Sequence, residues 1–562
     1  MEEDSDKGNI QALKSADRSI PAEPRTFMPR TFNLADLFEV VAAAVPDRIA
    51  FICASQRISF KALDQRANRL GNALRERGIK RGDNVGIQLY NSAEYLETFL
   101  ACCKIGAAPV NVNYRYKGEE LAFLYASLDF RALVYAAEFA PAVSQALQQA
   151  PWLGLLLHCG ADALEAPGLP YEDFLASAAT ELHDPLRSDQ DIYMLCTGGT
   201  TGMPKGVMWP HRSLFMAALG GGGIYFRRPP IEAPEELAAL VSAAQPLVYL
   251  ACAPLMHGAA MWATLISLFA GHCVVVNDQH QFDAEHVWDI VERDAVNILS
   301  IVGDAMALPM IRALEAHPDR WDLSRVMVFG NGGAMFSPHL QQRLKAMLPQ
   351  LVINNGMGSS EAGLVGGGDK PVQGEGFICI TPRPDLALID AQRRIVAAPG
   401  DFGILARSGN TPIGYYGDAI KTAETFVTID GRLWVLTGDQ ARIDANGDIV
   451  VLGRGSECIN TGGEKVFPEE VEVAARRYAA VRDVLIIGMP DERWGQKVAA
   501  VLELQEGENF SLAEFDRICR QHLAAYKLPR AIYLAAKVQR SPAGKADYRW
   551  AKEYAAVSVS LT

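Results

Sequence analysis

The chain has 562 residues, of which 49% are apolar and 21% are charged, and its formal net charge is −13. This composition excludes disorder over most of the chain, and the length predicts more than one packed unit, because single cores rarely grow beyond about 250–300 residues. The acidic balance argues against nucleic acid or an anionic membrane as the main partner.

The cysteines and the apolar runs indicate a cytoplasmic protein without a membrane span. The ten cysteines include no pair with CxxC spacing, which favours reduced thiols over a disulfide framework or a zinc site. The first residues lack a basic region followed by an apolar one, so no signal peptide is expected. The most apolar stretch, 261–276, is shorter than the ~20 residues of a membrane helix and predicts a buried helix followed by the strand 273–276.

The patterns along the chain predict an α/β fold. Residues 1–30 are polar and aperiodic and predict a flexible tail, and a first helix is expected from about Asn33. A helix over 93–104 between strands at 85–89 and 108–112 starts an alternation that is typical of largely parallel sheets. We therefore predict a large N-terminal domain of parallel-rich sheets flanked by helices, over residues 31–453.

A second, smaller unit is expected at the C-terminal end. A helix over 469–478 and a strand at 484–487 indicate an α+β domain over residues 454–562. The Gly-containing stretch at 454–457 is the predicted hinge of a mobile lid. The glycine run 220–223 together with residues 227–230 (RRPP), in the first domain, predicts a flexible surface loop.

The segment 195–206 is the most informative part of the sequence. Three glycines, three threonines and Lys205 lie within nine residues of it. Glycines permit a close approach of the backbone to an anion, and hydroxyl and ammonium groups add donors and charge. Because Pro204 precedes the lysine, the segment is not a GxxxxGK[ST] loop. It predicts a phosphate-binding loop between strands, with an ordinary Gly/Thr-rich turn as the alternative.

Together with five later segments, this loop resembles the adenylate-forming superfamily of acyl-CoA synthetases, luciferases and peptide-synthetase adenylation domains. The matching segments are 358–361 (GSSE), 414–417 (GYYG), 437–439 (TGD), 453–454 (GR) and 544–545 (GK), in the family's order; 526–530 (YKLPR) also fits. The resemblance covers about residues 35 to 555. It implies that a carboxylate attacks the α-phosphate of Mg-ATP to give an acyl-adenylate, which a thiol, usually coenzyme A, then converts to a thioester.

The same resemblance implies catalytic roles for Lys545, Glu361 and His257. Lys545 would bridge the carboxylate and the α-phosphate, and Glu361 would bind Mg²⁺ through a hard oxygen ligand. His257 would lie near the entry of the carboxylate. The alternatives are a solvated surface lysine, a carboxylate at a helix N-terminus and a hydrogen-bonded core histidine.

Nucleotide-binding and thiol-binding residues also follow from the resemblance. Met357 departs from the family pattern, because many relatives have a tyrosine there, and weaker nucleotide affinity would follow. The implied ligands are, for the phosphates, Thr197, Gly198, Gly199, Thr200, Thr201, Gly202, Lys205 and Ser360; for adenine, Gly332, Gly333, Ala334, Asn355, Met357 and Gly358; for ribose, Asp439 and Arg454; and, beside the CoA channel, Gly463.

The predicted activity is that of an ATP-dependent acid–CoA ligase that uses ATP, Mg²⁺ and coenzyme A. Mostly apolar, small residues at 303–307 and 332–335 favour a hydrophobic acid. The sequence looks most like bacterial ligases for steroid side-chain acids, with fatty or aryl acids as alternatives. A stand-alone adenylating enzyme that loads a carrier protein, a luciferase-like oxygenase and a non-catalytic nucleotide-binding relative stay open, as does a homodimer.

Overall fold

The computed structural model describes most of the chain. The described residues are 30–160, 165–182, 187–198, 204–333, 336, 338–368, 378–454, 459–466, 468–539 and 547–562. The predicted tail therefore lies outside the described residues except for residue 30. Thr31–Thr562 form one compact unit, so the domain boundary expected at 453/454 stays a prediction.

The helices lie mainly in the first 350 residues. In chain order they are α1 Leu34–Ala44, α2 Phe60–Glu76, α3 Ala93–Ile105, α4 Gly118–Ser127, α5 Ala140–Leu147, α6 Tyr171–Ala176, α7 His211–Ala217, α8 Glu236–Ala243, α9 Gly258–Phe269, α10 Ala284–Arg293, α11 Gly303–Ala316, α12 Pro338–Met347, α13 Ala419–Thr425, α14 Pro468–Ala475, α15 Leu512–His522 and α16 Tyr548–Val557, with 3₁₀ turns at Ala137–Phe139, Gly220–Gly222 and Ala525–Lys527.

The strands are distributed over the whole described chain. They are β1 Ile49–Cys53, β2 Gln56–Ser59, β3 Asn84–Gln88, β4 Ala108–Asn111, β5 Phe130–Ala136, β6 Leu155–Cys159, β7 Leu169–Pro170, β8 Ile192–Gly198, β9 Pro204–Pro210, β10 Val248–Ala251, β11 Cys273–Val276, β12 Ile298–Ile301, β13 Val328–Gly332, β14 Val352–Ser359, β15 Gly363–Gly368, β16 Ile378–Ile380, β17 Leu386–Ile389, β18 Ile395–Val396, β19 Phe402–Ser408, β20 Phe426–Ile429, β21 Arg432–Ile443, β22 Ile449–Arg454, β23 Ile459–Thr461, β24 Glu464–Val466, β25 Val481–Asp491, β26 Gly495–Leu504 and β27 Ala531–Leu534.

Two large sheets with mostly parallel strands form the N-terminal part. One has the order β15-β14-β13-β12-β10-β11-β1-β2, and only its two outermost pairs are antiparallel. The other has the order β7-β6-β5-β3-β4-β8-β9, with β9 as its one antiparallel strand among the described residues. Helices connect the parallel strands, as the alternation of the sequence predicts, and the α/β prediction is confirmed.

The remaining two sheets are mainly antiparallel. The third has the order β16-β22-β21-β19-β17-β18, with β20 beside β21. The fourth, smaller sheet combines β24-β23-β26-β25 with β27 and packs against α14, α15 and α16, which is the α+β architecture expected at the C-terminal end.

Local chemistry explains several helix boundaries. The side chain of Asn33 accepts a hydrogen bond from the amide of Ala35 at 2.8 Å and so caps α1 where the sequence predicts a helix start. Helix α3 ends at Gly106, whose φ of 72° is left-handed. The predicted helix over 469–478 instead ends at Ala475. Tyr478 lies beyond the helix end and is buried, and its hydroxyl accepts a hydrogen bond from the amide of Ser511.

The glycine run at 220–223 is packed, so the prediction of a flexible surface loop is wrong for these glycines, whereas residues 227–230 are exposed as expected. Gly221 is buried, and a Cβ atom on Gly222 would lie 3.2 Å from both Leu237 and Phe215. The three residues Gly220–Gly222 all have left-handed φ values, which glycine adopts without strain. Glycine here permits close packing instead of mobility.

A buried charge cluster fastens the first helices to each other. Lys104 is fully buried, and its Nζ lies 2.6 Å from Glu39 and 2.8 Å from Asp64. Arg187 also pairs with Glu39, at 2.5 Å. Burial alone would raise the pKa of the Glu39 carboxyl, but Lys104 and Arg187 hold that pKa at about 2.

Among the described residues, no helix is long and apolar enough to span a membrane.

Candidate active site

The predicted phosphate loop joins the two strands of a β-hairpin. In the antiparallel pair β8–β9, Thr197 is opposite Lys205 and Gly198 is opposite Pro204. Gly199, Thr200, Thr201 and Gly202 lie outside the described residues. The hairpin thus places both ends of the loop together, as expected for a loop between strands.

The GYYG segment lies along the free edge of β9. The amide of Met208 donates to the carbonyl of Gly414 at 3.0 Å, and the amide of Tyr416 donates to that of Gly206 at 2.8 Å. Gly414 has a φ of 141°, and a Cβ there would lie 2.8 Å from the side chain of Thr422. Glycine is therefore required at 414 for this segment to follow the strand.

Tyr415 lies between the lysine of the hairpin and Glu361. Its hydroxyl donates a hydrogen bond to Oε1 of Glu361 at 3.0 Å, and its ring centroid lies 5.7 Å from Nζ of Lys205. The ammonium of Lys205 also lies 3.1 Å from a carboxylate oxygen of Asp418. The amide of Lys421, together with Lys205, lowers the pKa of Asp418 below its usual value. A cation, a phenol and a carboxylate thus meet beside the phosphate-loop hairpin.

Glu361 lies in the tight turn between β14 and β15. The hydroxyl of Ser359 accepts a hydrogen bond from the amide of Ala362 at 3.1 Å. Gly363 closes the turn with a left-handed φ of 68°. From the other side, the indole of Trp209 donates to the carbonyl of Ser360 at 2.7 Å, which ties the turn to β9.

The predicted adenine-binding residues lie at the ends of the adjacent parallel strands β13 and β14. Gly332 is paired in register with Gly356, and the amide group of Asn331 donates to Oδ1 of Asn355 at 3.2 Å. Gly333 has a left-handed φ of 82°. Ala334 lies outside the described residues.

Gly358 and Met357 follow on β14. A Cβ on Gly358 would overlap the carbonyl oxygen of Gly363, so only glycine fits there. Met357 is 8% exposed and packs in a buried cluster with Val365 and Ile380. The structure thus makes Met357 a core residue, and its contact with adenine stays a prediction.

The two predicted ribose ligands are neighbours across two strands. Asp439 on β21 is opposite Arg454 at the end of β22. Asp439 is mostly buried, and its amide donates to the hydroxyl of Thr437 at 3.1 Å.

The predicted catalytic Lys545 lies outside the described residues.

The hairpin β23–β24 of the small sheet reaches the N-terminal part. At its tip, Gly462 and Gly463 have φ values of 58° and 84°. A Cβ on Gly463 would overlap the side chain of Val302, which precedes α11 and also lies near Gly333. The structure therefore brings Gly463 beside the predicted adenine-binding and acyl-binding segments.

Glu464, next to Gly463, meets two residues from different parts of the N-terminal region. Its carboxylate lies 3.1 Å from Nε2 of His257 and pairs with the guanidinium of Arg115. Burial would raise the pKa of Glu464, but His257 and Arg115 hold it at about 2. His257 is therefore not a closed-off core histidine; its side chain is 37% exposed at the junction of the two parts.

A second contact and a stacked tryptophan flank this hairpin. The ammonium of Lys527, almost fully buried, lies 3.0 Å from Glu120 of α4. Trp494 packs on Gly462, and the guanidinium groups of Arg493 and Arg530 lie 4.6 and 4.7 Å from its ring centroid.

Sequence reasoning missed the side chains that join the predicted segments. Tyr415 is part of the quoted GYYG segment, and Glu464 follows Gly463 directly, so both were within reach of the motif argument. Arg115 shows no comparable local signal, since its partner is 349 residues away. His211, the first residue of α7 after the phosphate-loop hairpin, is fully buried, and burial lowers its pKa to about 3.

Comparison with known proteins identifies the class that this fold and site define. The family model described as AMP-binding enzyme matches residues 38–416, and the model of the AMP-binding enzyme C-terminal domain matches residues 470–545. The chain belongs to the AMP-binding enzyme family, which confirms the resemblance stated from the motifs.

Individual relatives are similar over nearly the whole chain. A 3-oxocholest-4-en-26-oate–CoA ligase from Rhodococcus rhodochrous is 40% identical over 93% of this chain and 95% of its own length. A medium/long-chain-fatty-acid–CoA/3-oxocholest-4-en-26-oate–CoA ligase from Mycobacterium marinum is 39% identical over 94% of this chain and 97% of its own. The solved amide bond synthetase McbA from Marinactinospora thermotolerans shares the fold, with a TM-score of 0.75 and 21% identity, over 92% of this chain and 99% of its own.

Proposed function

We propose that the protein is an ATP-dependent acid–CoA ligase. The carboxylate oxygen of the acid attacks the α-phosphorus of ATP, and the bond to pyrophosphate breaks to give an acyl-adenylate. The sulfur of coenzyme A then attacks the acyl carbon, and AMP leaves with the bonding electrons. The ligase relatives at about 40% identity support this activity, and the meeting of Lys205, Tyr415 and Glu361 beside the phosphate-loop hairpin is the observation that carries it.

Positive charge near the phosphates is the first requirement of the adenylation step. Lys205 supplies one cation at the hairpin, and Asp418 holds it in place. Lys545 is the proposed second cation, which the C-terminal lid would deliver for adenylation and withdraw afterwards. The other nucleotide ligands that we propose are those predicted from the sequence. The phosphate-loop residues would bind the phosphates, the glycine segments of β13 and β14 would bind adenine, and Asp439 and Arg454 would bind the ribose.

The carboxylate of Glu361 offers a hard oxygen ligand that suits a magnesium ion. Its Oε1 accepts the hydrogen bond from Tyr415, and that contact does not use Oε2. Mg²⁺ prefers hard oxygen ligands and is commonly held by one or two carboxylates together with substrate phosphates. Glu361 would hold the ion, and the bound ion would neutralise charge on the phosphates.

The hairpin β23–β24 is the proposed entry for the thiol. Its glycine tip adjoins Val302, and Glu464 binds His257 and Arg115, so the arrangement suits the second half-reaction. Coenzyme A carries several phosphates, and the cations Arg493 and Arg530 flank Trp494 next to the glycine tip. We propose that these two side chains bind the nucleotide part of coenzyme A.

A hydrophobic acid is the proposed substrate. Apart from Asp304, the segments next to Gly333 and Val302 are apolar and mostly small, and the relatives are ligases for fatty acids and for a steroid side-chain acid. We also propose a lid boundary at 453/454, because a C-terminal domain that moves between the half-reactions would carry Lys545. A cytoplasmic location is proposed because ATP and coenzyme A are available there.

A substrate panel tests the function directly. Pyrophosphate, AMP and thioester are measured with fatty, aryl and steroid side-chain acids, with and without coenzyme A. A CoA-dependent thioester with one equivalent of AMP and of pyrophosphate is the expected result. Pyrophosphate release without any thioester would instead favour a stand-alone adenylating enzyme, and oxygen consumption would favour an adenylate oxygenase.

A further inference from the structure

Arg407 on β19 is a buried cation outside the set of residues discussed so far. Its side chain is only 7% exposed. Nη2 lies 3.2 Å from a carboxylate oxygen of Asp385, and Nε finds no acceptor among the described residues. Burial of a guanidinium costs free energy unless the group is paired and hydrogen-bonded. The contacts of the third nitrogen, Nη1, therefore explain why an arginine occupies this position.

The Nη1 atom of Arg407 donates to carbonyls of two separate elements. It lies 2.8 Å from the carbonyl oxygens of both Ala362 and Leu364, and 3.0 Å from that of Ala217. Ala217 is the last residue of α7, the helix that directly follows the phosphate-loop hairpin. One guanidinium therefore bonds the turn that contains Glu361 and the element that continues from the phosphate loop.

The turn is shaped to receive this guanidinium. Ala362 and Leu364 flank Gly363, whose left-handed φ lets both carbonyls point to the same side. A Cβ on Gly363 would lie 3.3 Å from Nη1, so glycine also leaves the space that the guanidinium occupies. Glu361 is the residue directly before Ala362, and its backbone position follows from these bonds.

We propose that Arg407 is a positioning residue that fixes the Glu361 turn relative to the phosphate-loop hairpin, so that the metal-binding carboxylate is in place before nucleotide binds. The proposal rests on the role proposed above for Glu361. A lysine cannot replace the arginine, because a single ammonium group cannot bond Asp385 and the carbonyls of two elements in the fixed geometry of a guanidinium.

Metal binding without turnover provides the test. Mn²⁺ is titrated into the full-length protein with a non-hydrolysable ATP analogue, and bound metal is measured by electron paramagnetic resonance. We expect R407K and R407Q to weaken Mn²⁺ binding at least tenfold. Thioester formation from supplied acyl-adenylate and coenzyme A, a step without a metal, should stay within twofold of the unchanged protein.

Arg383 offers a matched control. It pairs with the same Asp385 at 3.0 Å, but its side chain is 40% exposed. R383K should leave Mn²⁺ affinity unchanged. A folded R407K that binds Mn²⁺ as the unchanged protein does, or that loses both half-reactions equally, would overturn the proposal.

Two further variants keep the outcome decisive. If R407K and R407Q do not fold, D385N retains the carbonyl bonds but removes the ion pair; a threefold weakening of Mn²⁺ binding supports the proposal, and unchanged binding overturns it. E361Q separates this inference from the proposed function. Unchanged Mn²⁺ affinity in E361Q refutes the metal role of Glu361, whereas weakened affinity in E361Q with unchanged affinity in R407K refutes only the role of Arg407.

Discussion

The carboxylate of Glu464 lies 3.1 Å from Nε2 of His257 and also pairs with Arg115, which joins the hairpin of the small sheet to two separate segments of the N-terminal part. Glu464 has 13% of its side chain exposed, so these contacts are largely shielded from water. Ion pairs shielded in this way lose more when one partner is removed than exposed pairs do. The contact thus favours the arrangement in which Gly463 adjoins Val302.

Replacing Glu464 by glutamine should impair the second half-reaction selectively. The amide keeps the size of the side chain but loses the charge, and hydrogen bonds to charged groups contribute about 1.5–3 kcal/mol. We expect thioester formation from supplied acyl-adenylate to fall at least tenfold in E464Q, with acyl-adenylate formation within twofold. E506Q, at an exposed position, is the control. Equal losses in both half-reactions would contradict a role for Glu464 in thiol transfer.

Replacing Tyr415 by phenylalanine should weaken the binding of Mg²⁺. The change removes the hydroxyl that donates to Glu361 at 3.0 Å but keeps the ring beside Lys205. A hydrogen bond to a charged group is worth about 1.5 kcal/mol at the lower end, so half-saturating Mg²⁺ should rise roughly tenfold. Y416F, one residue on, should behave like the unchanged protein. Magnesium titration of pyrophosphate release decides, and an unaltered midpoint in Y415F would argue against the contact.

Replacing Lys545 by alanine should impair acyl-adenylate formation and spare thioester formation, which is the opposite of the effect expected for E464Q. Loss of the proposed cation should abolish acyl-adenylate formation, because charge on the transferring phosphate is then unopposed. Thioester formation from supplied acyl-adenylate should be largely retained. K537A, which removes an exposed lysine of the same C-terminal part, is the control. Loss of both activities in K545A would refute the assignment.

Stability should fall in acid because of Glu39. Its pKa is depressed from 4.5 to about 2 in the folded chain, so its contribution is complete above pH 4.5 and is lost as the pH falls towards 2. A depression of this size corresponds to about 3 kcal/mol. Urea unfolding at pH 6, 4 and 3 should show a smaller decline in E39Q than in the unchanged protein. A decline of the same size in both would exclude Glu39 as a source of the acid sensitivity.

Local patterns predicted the elements better than the contacts between them. The alternation around 85–112 and the apolar stretch at 261–276 identified α3, β4, α9 and β11, because their signals lie within a few residues. The run at 220–223 was misjudged, since glycine marks tight packing as well as flexibility and only the neighbours decide between the two.

For the candidate site too, the sequence predicted individual residues better than the contacts between them. The ordered motifs gave Lys205, Glu361 and Asp439 as candidates, because each segment has its own residue pattern. The bonds that orient these residues join segments that are 54 residues apart, between Tyr415 and Glu361, or 151 residues apart, between Trp209 and Ser360, and no local pattern contains them. Long-range partners such as Arg407 therefore became visible only in the folded chain.

Val302 lies between two proposed binding sites. On one side it is near Gly333, and on the other its methyl groups leave no room for any side chain at Gly463. The spacing between these two glycine segments is thus set by one valine, and a bulkier residue there should disturb the proposed nucleotide and thiol sites together. Substitutions meant to change which acids are accepted should therefore leave Val302 unchanged.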